Sequence, residues 1–445
     1  MSTLLATPAT LLARAREHVA RAAGREPAWL VERRKDALAR VERRGLPTSR
    51  DEDWKYTNVA PIAALALARA PDADLATLRE AVVRLRLPVS GGIHVVVVDG
   101  RFVPELSSLP PMPGGLTVGS LAEAIRTRPH LVERTLAAVA AGGDRPFADL
   151  STALFEDGVL VHLGKDTCCP VPVDVLHVST GRGTVAFPRT VIVGEPETRA
   201  TVVERFVALR PGPYAVVPVT EVALARNAAV EHVAWQDDAV EAFHVATIEA
   251  HQERDSRFTS HALTLGAALS RTDTGVRLDG EGAEVTLNGL YLLFGDRHAD
   301  HHTRIDHARP HGTSRELFKG ILDGRVTGVF NGKVVVHPGA VKTDSQQANH
   351  NLLLSADAVA DTKPELEIYN DDVKCQHGAT VGRLDDDKVF YLRSRGLDEK
   401  AARDLLVRAF ARDVTDRISI EAVHAGLDRW MTERLPSLRG GEAAS

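Results

Sequence analysis

From about Gly158 onward, runs rich in Val, Leu, Ile and Thr follow one another for roughly two hundred residues, with almost no helical pattern between them. GVLVHLG, VPVDVLHVST, TVAFPRTVIVG, AFHVATIEA and AEVTLNGLYLLFG are examples, separated by turn residues at intervals of about 8–14 residues. This many short strands in succession points to a sandwich, a barrel or a β-solenoid, and a single sandwich would not use so many. Alternation in AAVEHVAWQ and AEVTLNG gives each strand one inward and one outward face. Stacked coils would bury the inward rows in one continuous core. No clean repeat motif is visible, so periodicity alone leaves the solenoid open.

Both ends read as helical. LLARAREHVARAAG and AWLVERRKDALARVERRG carry apolar residues at three- and four-residue spacing, and Gly45 and Pro47 stop the second run. The loop that follows holds Trp54 and Tyr56, which are expected to anchor it by burying their rings. GGIHVVVVDGRFVPEL reads as a hairpin-like pair of strands. The expected division is an N-terminal α-rich region over 1–150, a strand-rich core over 151–382 and a C-terminal helical domain over 383–445. In that last domain Asp398 is a good N-cap, and Leu405, Leu406, Ala409 and Phe410 fall on one stripe. The final LRGGEAAS is expected to be disordered.

With 445 residues the chain has ample length for a sizeable core, and 44% apolar with 26% charged residues is ordinary for a globular protein. A net charge of −6 with no basic arm argues against nucleic-acid binding. No apolar run is long enough for a membrane span, and the N-terminus lacks the apolar core of a signal peptide. Three cysteines, Cys168, Cys169 and Cys375, make no disulfide framework, and a reducing cytoplasmic setting fits them. GVFNGKV is one residue short of a phosphate-binding loop and has no Ser or Thr after Lys333. With no nucleophile elbow and no HExxH helix either, the chain reads as a non-catalytic subunit.

Residues 367–382, EIYNDDVKCQHGATVG, hold the densest chemistry. Cys375 and His377 are two apart, which puts both on one face of an extended segment as a soft metal or sulfur pair. The bland alternative is a buried Cys beside a hydrogen-bonded His in a turn. A second tract, HADHHTRIDHARPH, runs from His298 to His311. Its histidines invite a metal reading. On a strand, however, His301 and His302 point apart, while His302, Arg304 and Asp306 share a face as a salt-bridged ladder.

LEIYNDDVKCQHGATVGRLDDDKVFYLRSRG, HPGAVKTDSQQANHNLLLS, VFNGKVVV and DEDWKYTNVAPI resemble, in the same order, the SufB/SufD family of the Suf iron–sulfur cluster assembly machinery. The resemblance implies a right-handed parallel β-helix flanked by N-terminal and C-terminal helical regions. It implies a scaffold that pairs with SufB through the β-helix and docks the SufC ATPase through its C-terminal helices, at Leu405, Leu406, Ala409 and Phe410. It further implies that His377, with Cys375, contributes to a nascent Fe–S cluster shared with SufB. SufB has a Cys where this chain has ANHN around Asn349, and His-Glu-Ala-Thr where this chain has Gly378, so the resemblance is to the SufD side.

Two other readings follow from the residues. A polysaccharide-acting β-helix enzyme would use Glu367, Asp371 and Asp372 as paired carboxylates. A stand-alone homodimer would bind a cluster by itself.

Overall fold

The computed structural model describes residues 8–65, 68–70, 74–89, 91–112, 114–140, 145–181 and 183–434, so the LRGGEAAS tail lies outside the described residues. Two sheets run the length of the molecule, one of ten strands and one of eleven. Successive strands alternate between them. Ala229–Asp237 and Arg257–Thr264 belong to the first sheet, and Phe243–Gln252 and Leu269–Leu278 to the second. From Gly158 to Arg383, neighbours within each sheet are parallel and one coil apart, a step that ranges from Phe243 beside Leu269 to Thr327 beside Val359. The chain is therefore a parallel β-solenoid of about 8 turns with helices at both ends.

Alternation along each strand supplies the core. Val161, Ile192, Val222, Ile248, Val276, Ile305 and Val334 are all buried between the sheets in one apolar cluster. The corners repeat as well. Asp166, Glu197, Asn227, Asp255, Gly282, His311 and Lys342 all have positive φ, one per coil. Each is followed by a small buried residue: Thr167, Thr198, Ala228, Ser256, Ala283, Gly312 and Thr343. The left-handed residue turns the chain through the corner, at about 1–2 kcal/mol where it is not glycine. The small residue then fits the narrow edge of the interior. Thr198, Ser256 and Thr343 donate their hydroxyls back to the carbonyls of Glu195, Glu253 and Ala340 at 2.7, 2.7 and 2.8 Å. Only the conformation is common to the left-handed positions, so no residue-by-residue motif marks the repeat.

The two ends of the solenoid differ. At the N-terminal end, the antiparallel strands Arg101–Phe102 and Leu116–Ser120 cover the outermost strands Ile93–Val98 and Gly158–Leu163. At the other end, Val359–Ile368 and Lys374–Arg383 are the outermost strands of the two sheets. The helices that follow do not close this end. Glu399–Thr415 and Glu421–Arg434 fold back along the outside of the first sheet and bury Val407, Ala411, Val414, Val423, Leu427 and Trp430 against its outward Val, Leu and Ile side chains. Ion pairs fix this seam, Lys319 to Asp413 and Arg434 to Asp237, each at 2.7 Å.

The N-terminal loop is pinned across the other sheet. Trp54 is 3% exposed, 5.5 Å from the Phe147 ring, with the Arg271 guanidinium 3.6 Å over its indole. Tyr56 departs from the expectation. It stays 42% exposed, and its ring meets Lys55 Nζ at 5.3 Å from the centroid, a contact within the loop itself and not with the body of the protein.

Candidate functional site at the open end of the solenoid

Cys375 and His377 lie in the outermost strand Lys374–Arg383, in register with Ser345 and Gln347 of Asp344–Leu353. Ser345, Gln347, Asn349 and Asn351 are all buried in the interior, so Cys375, His377, Ala379 and Val381 continue the same inward files. Among the described residues no coil follows, and these files end in solvent. Cys375 is half-buried and packs against the end of the interior core. His377 is exposed and forms no hydrogen bond or ion pair with another described residue. The two therefore share one face of a strand, not a turn. Burial pushes the Cys375 thiol up, the Asp344 carboxylate adds to this, and a backbone hydrogen bond at Ser345 opposes both. The thiol thus keeps its proton at neutral pH until a metal or a nearby cation displaces it.

Beneath these two residues the interior is polar. In one file Ser314 donates to Ser345 at 2.8 Å and shares a 2.9 Å hydrogen bond with His307 Nε2. In the next, Gln347 Nε2 donates to Glu316 Oε2 at 2.6 Å. A Cβ on Gly332 would lie 2.4 Å from that same Gln347 nitrogen, so only glycine leaves the amide room. Asn349 donates to the Tyr291 hydroxyl at 3.1 Å and to the Phe318 carbonyl at 3.2 Å. These buried amides and hydroxyls are a sequence feature a reader could have found, since SQQANHN is too polar for an ordinary inward row. Burial pushes His301 and His307 down to about 4, so both are neutral.

Glu316 is fully enclosed, and burial pushes its carboxyl up to about 7, against the opposing hydrogen bond of Gln347. A folded-state value above the unfolded one means that folding takes up a proton. Stability from this group is present below the ordinary carboxyl range, falls as pH rises above it, and is lost once pH passes about 7. Glu316→Gln is expected to flatten that decline and to unfold at higher temperature than the parent at pH 8. Melting curves at pH 5 and 8 check this, and equal pH slopes in the two proteins would reject it.

The other candidates disperse. In the histidine tract, His301 and His307 face the interior, His298 bonds Thr57, and Arg304 clasps Asp306 at 2.7 and 2.8 Å. His302 pairs with Asp300 at 3.1 Å, and His337 with Asp306 at 2.8 Å, which makes a salt-bridged outer ladder. Glu367 and Asp372 are held by separate lysines, Lys333 at 2.6 Å and Lys342 at 2.7 Å. Among the described residues no group of three or more His, Cys, Asp or Glu is placed to hold a metal ion, and no helix is long and apolar enough to cross a membrane. In the C-terminal stripe, Phe410 turns toward the solenoid and receives Lys319 Nζ 4.2 Å from its ring centroid. Leu406 is half-buried, while Leu405 and Ala409 face solvent. Phe390 and Tyr391, on helix Asp386–Ser394 just after the edge strand, are 72% and 57% exposed, and the expected stripe did not include them.

Two family models match the chain. The SUF system FeS cluster assembly SufBD core domain covers residues 177–410, and the SufBD protein N-terminal region covers 10–175. An iron–sulfur cluster assembly SufBD family protein of Synechocystis is 34% identical over 414 residues, 91% of this chain and 91% of that protein. The iron–sulfur cluster assembly protein SufD of Escherichia coli is 31% identical over 406 residues, 90% of this chain and 92% of that protein. A chloroplastic protein of Arabidopsis thaliana, ABCI7, is 32% identical over 235 residues, 52% of this chain and 50% of that protein.

Proposed function

The chain belongs to the SufBD family of the SUF iron–sulfur cluster assembly system, and on that premise we propose that it is a SufD-type scaffold that completes its site with a partner. Its partners are SufB, joined at the open end of the solenoid, and the SufC ATPase, docked on the C-terminal helices. The cargo is a nascent Fe–S cluster held at the joint with SufB. The chain itself performs no chemistry.

One observation carries this reading: His377 ends an interior file at an unpaired strand edge. An open edge is a template for another strand, and proteins pair or cover such edges. Val359, Ile368, Tyr369 and Val381 are 40–59% exposed around it, an apolar margin suited to a partner's sheet. Pairing would enclose His377, whose imidazole nitrogen is a borderline donor for iron, and would bring the partner's ligands to it. Cys375 stands one inward position further along the strand as a second sulfur donor. Leu405, Phe390 and Tyr391 offer apolar contacts for SufC, and the packed seam behind their helices would carry its ATP-driven movement to the open edge.

Co-expression with SufB and SufC, sizing, and iron and sulfide analysis test the proposal. His377→Ala is expected to leave the assembly intact and cut its cluster content several-fold. Leu405→Glu is expected to release SufC alone. A His377→Ala assembly with full cluster content would remove His377 from the site. A chain that elutes as a homodimer with no affinity for either partner would overturn the scaffold reading.

A further inference from the structure

On the outside of the first sheet, where the edge strand meets the C-terminal helices, lies a cleft of about 360 Å³, within the range of small-molecule sites. Arg315, Gln346, Gln376, His377 and Gly378 line it from the strands, and Arg417 from the turn between the last two helices. Asn288 also lines it and is 2% exposed. The Asn288 amide nitrogen meets His261 Nδ1 at 3.3 Å, while its Oδ1 is buried with no partner among the described residues. A buried acceptor left unpaired is costly, which favours a ligand that brings a donor. Arg417 uses Nε on the Asp413 carbonyl at 2.9 Å and makes no ion pair with a described residue. Arg315 already shares charge with Asp344 at 2.9 Å. Glu316, on the same strand, turns inward to Gln347 and does not neutralise the cleft. The Cβ position of Gly378 meets open space within 4 Å, so the cleft is empty of protein there.

We propose that this cleft binds a small oxyanion that also carries a hydroxyl, its oxygens on Arg417 and Arg315 and its hydroxyl donating to Asn288 Oδ1. Guanidinium groups match the planar oxygens of carboxylates and phosphates. The unpaired Asn288 oxygen selects, among such anions, those with a donor. A hydroxycarboxylate and monohydrogen phosphate both satisfy this chemistry. His377 borders the cleft, but the proposed contacts use neither it nor Cys375 and need no partner chain, so binding to the chain alone tests the cleft separately from the scaffold role.

Titration calorimetry on the metal-free full chain separates the sources, with citrate, tricarballylate (citrate without its hydroxyl) and inorganic phosphate as probes. Citrate or phosphate is expected to bind saturably, and whichever binds more tightly names the source. Tricarballylate is expected to bind about tenfold more weakly than citrate, the worth of one hydrogen bond of about 1.4 kcal/mol. Arg417→Gln is expected to weaken binding by about tenfold or more. Gly378→Glu, which has space for its side chain, is expected to block binding by supplying a carboxylate from the chain itself, with the melting temperature unchanged. Asn288→Leu is expected to erase the difference between citrate and tricarballylate. No saturable binding of any probe below ~10 mM would overturn the site. So would binding that is indifferent to both Arg417→Gln and Gly378→Glu.

Discussion

Arg189→Met is expected to cost the fold about 3–5 kcal/mol, because it strands a carboxylate in the interior. Arg189 and Glu221 are both 0% exposed, with Nη2 and Nε donating to Glu221 Oε2 at 2.6 and 3.0 Å. The same carboxylate accepts from the backbone nitrogens of Ala137 and Ala140 at 2.8 and 2.9 Å. Arg189 also donates to Thr152 at 3.1 Å, on helix Pro146–Leu154. The pair thus holds the last part of the N-terminal region on the solenoid. The Coulombic gain of a buried pair is offset by desolvation, so removing both charges should be gentler than removing one. Arg189→Met/Glu221→Leu is expected to recover part of the loss, though not all, since the Ala137 and Ala140 amides are then unpaired at about 1–3 kcal/mol each. Urea unfolding at pH 7 measures both variants. A single-variant loss below about 1 kcal/mol would show that the carboxylate finds water or a proton instead.

Trp54→Ala is expected to cost about 3–5 kcal/mol and to free the strap that ties the N-terminal region to the open end. Beneath the indole, Arg271 donates to the Asp53 carbonyl at 2.6 Å and to Asp300 at 2.9 Å. Thr57 bonds the same Asp300, whose carboxyl is held well below its usual range by His302 and Arg271 despite complete burial. Glu52 reaches Lys363, on outermost strand Val359–Ile368, at 3.0 Å. Removing the ring leaves a void over a buried guanidinium, so both the cavity and the lost cation–π contact weigh against the fold. Thermal unfolding should fall, and trypsin should gain access to Arg50 and Lys55. Tyr56→Ala is the control. At 42% exposure it should change stability by no more than about 0.5 kcal/mol. Equal losses for the two variants would mean that the strap is held by its backbone and not by the indole.

The contrast between Trp54 and Tyr56 shows where sequence reading stops. Both are large aromatics in one short loop, and nothing local separates them. Trp54 is buried because Arg271 and Phe147, far away in sequence, present a surface to it. The histidine tract divides in the same way. Strand alternation alone separates His301 from His302 and brings Arg304 and Asp306 to one face. That His301 faces Phe318 and Tyr291 is decided by neighbouring coils. In the C-terminal helix, spacing put Phe410 with Leu405, but the solenoid claims Phe410 and leaves Leu405 outside. The corner repeat went unseen because left-handed backbone was met by Asp, Glu, Asn, Gly, His and Lys in turn.

Local pattern was enough to show that strands dominate the middle, that helices flank them, and that Cys375 and His377 share a face. These properties depend on neighbours one to four residues apart, through backbone propensity and the two- or 3.6-residue period of side-chain direction. Long-range packing placed these two residues on the last, uncovered coil above a polar interior, and laid the final helices beside the solenoid with its end left open. Those contacts join residues a full coil apart, as Glu316 joins Gln347 and His307 reaches Ser345 through Ser314. Because the coil step itself varies, no fixed spacing in the sequence encodes which residues will meet.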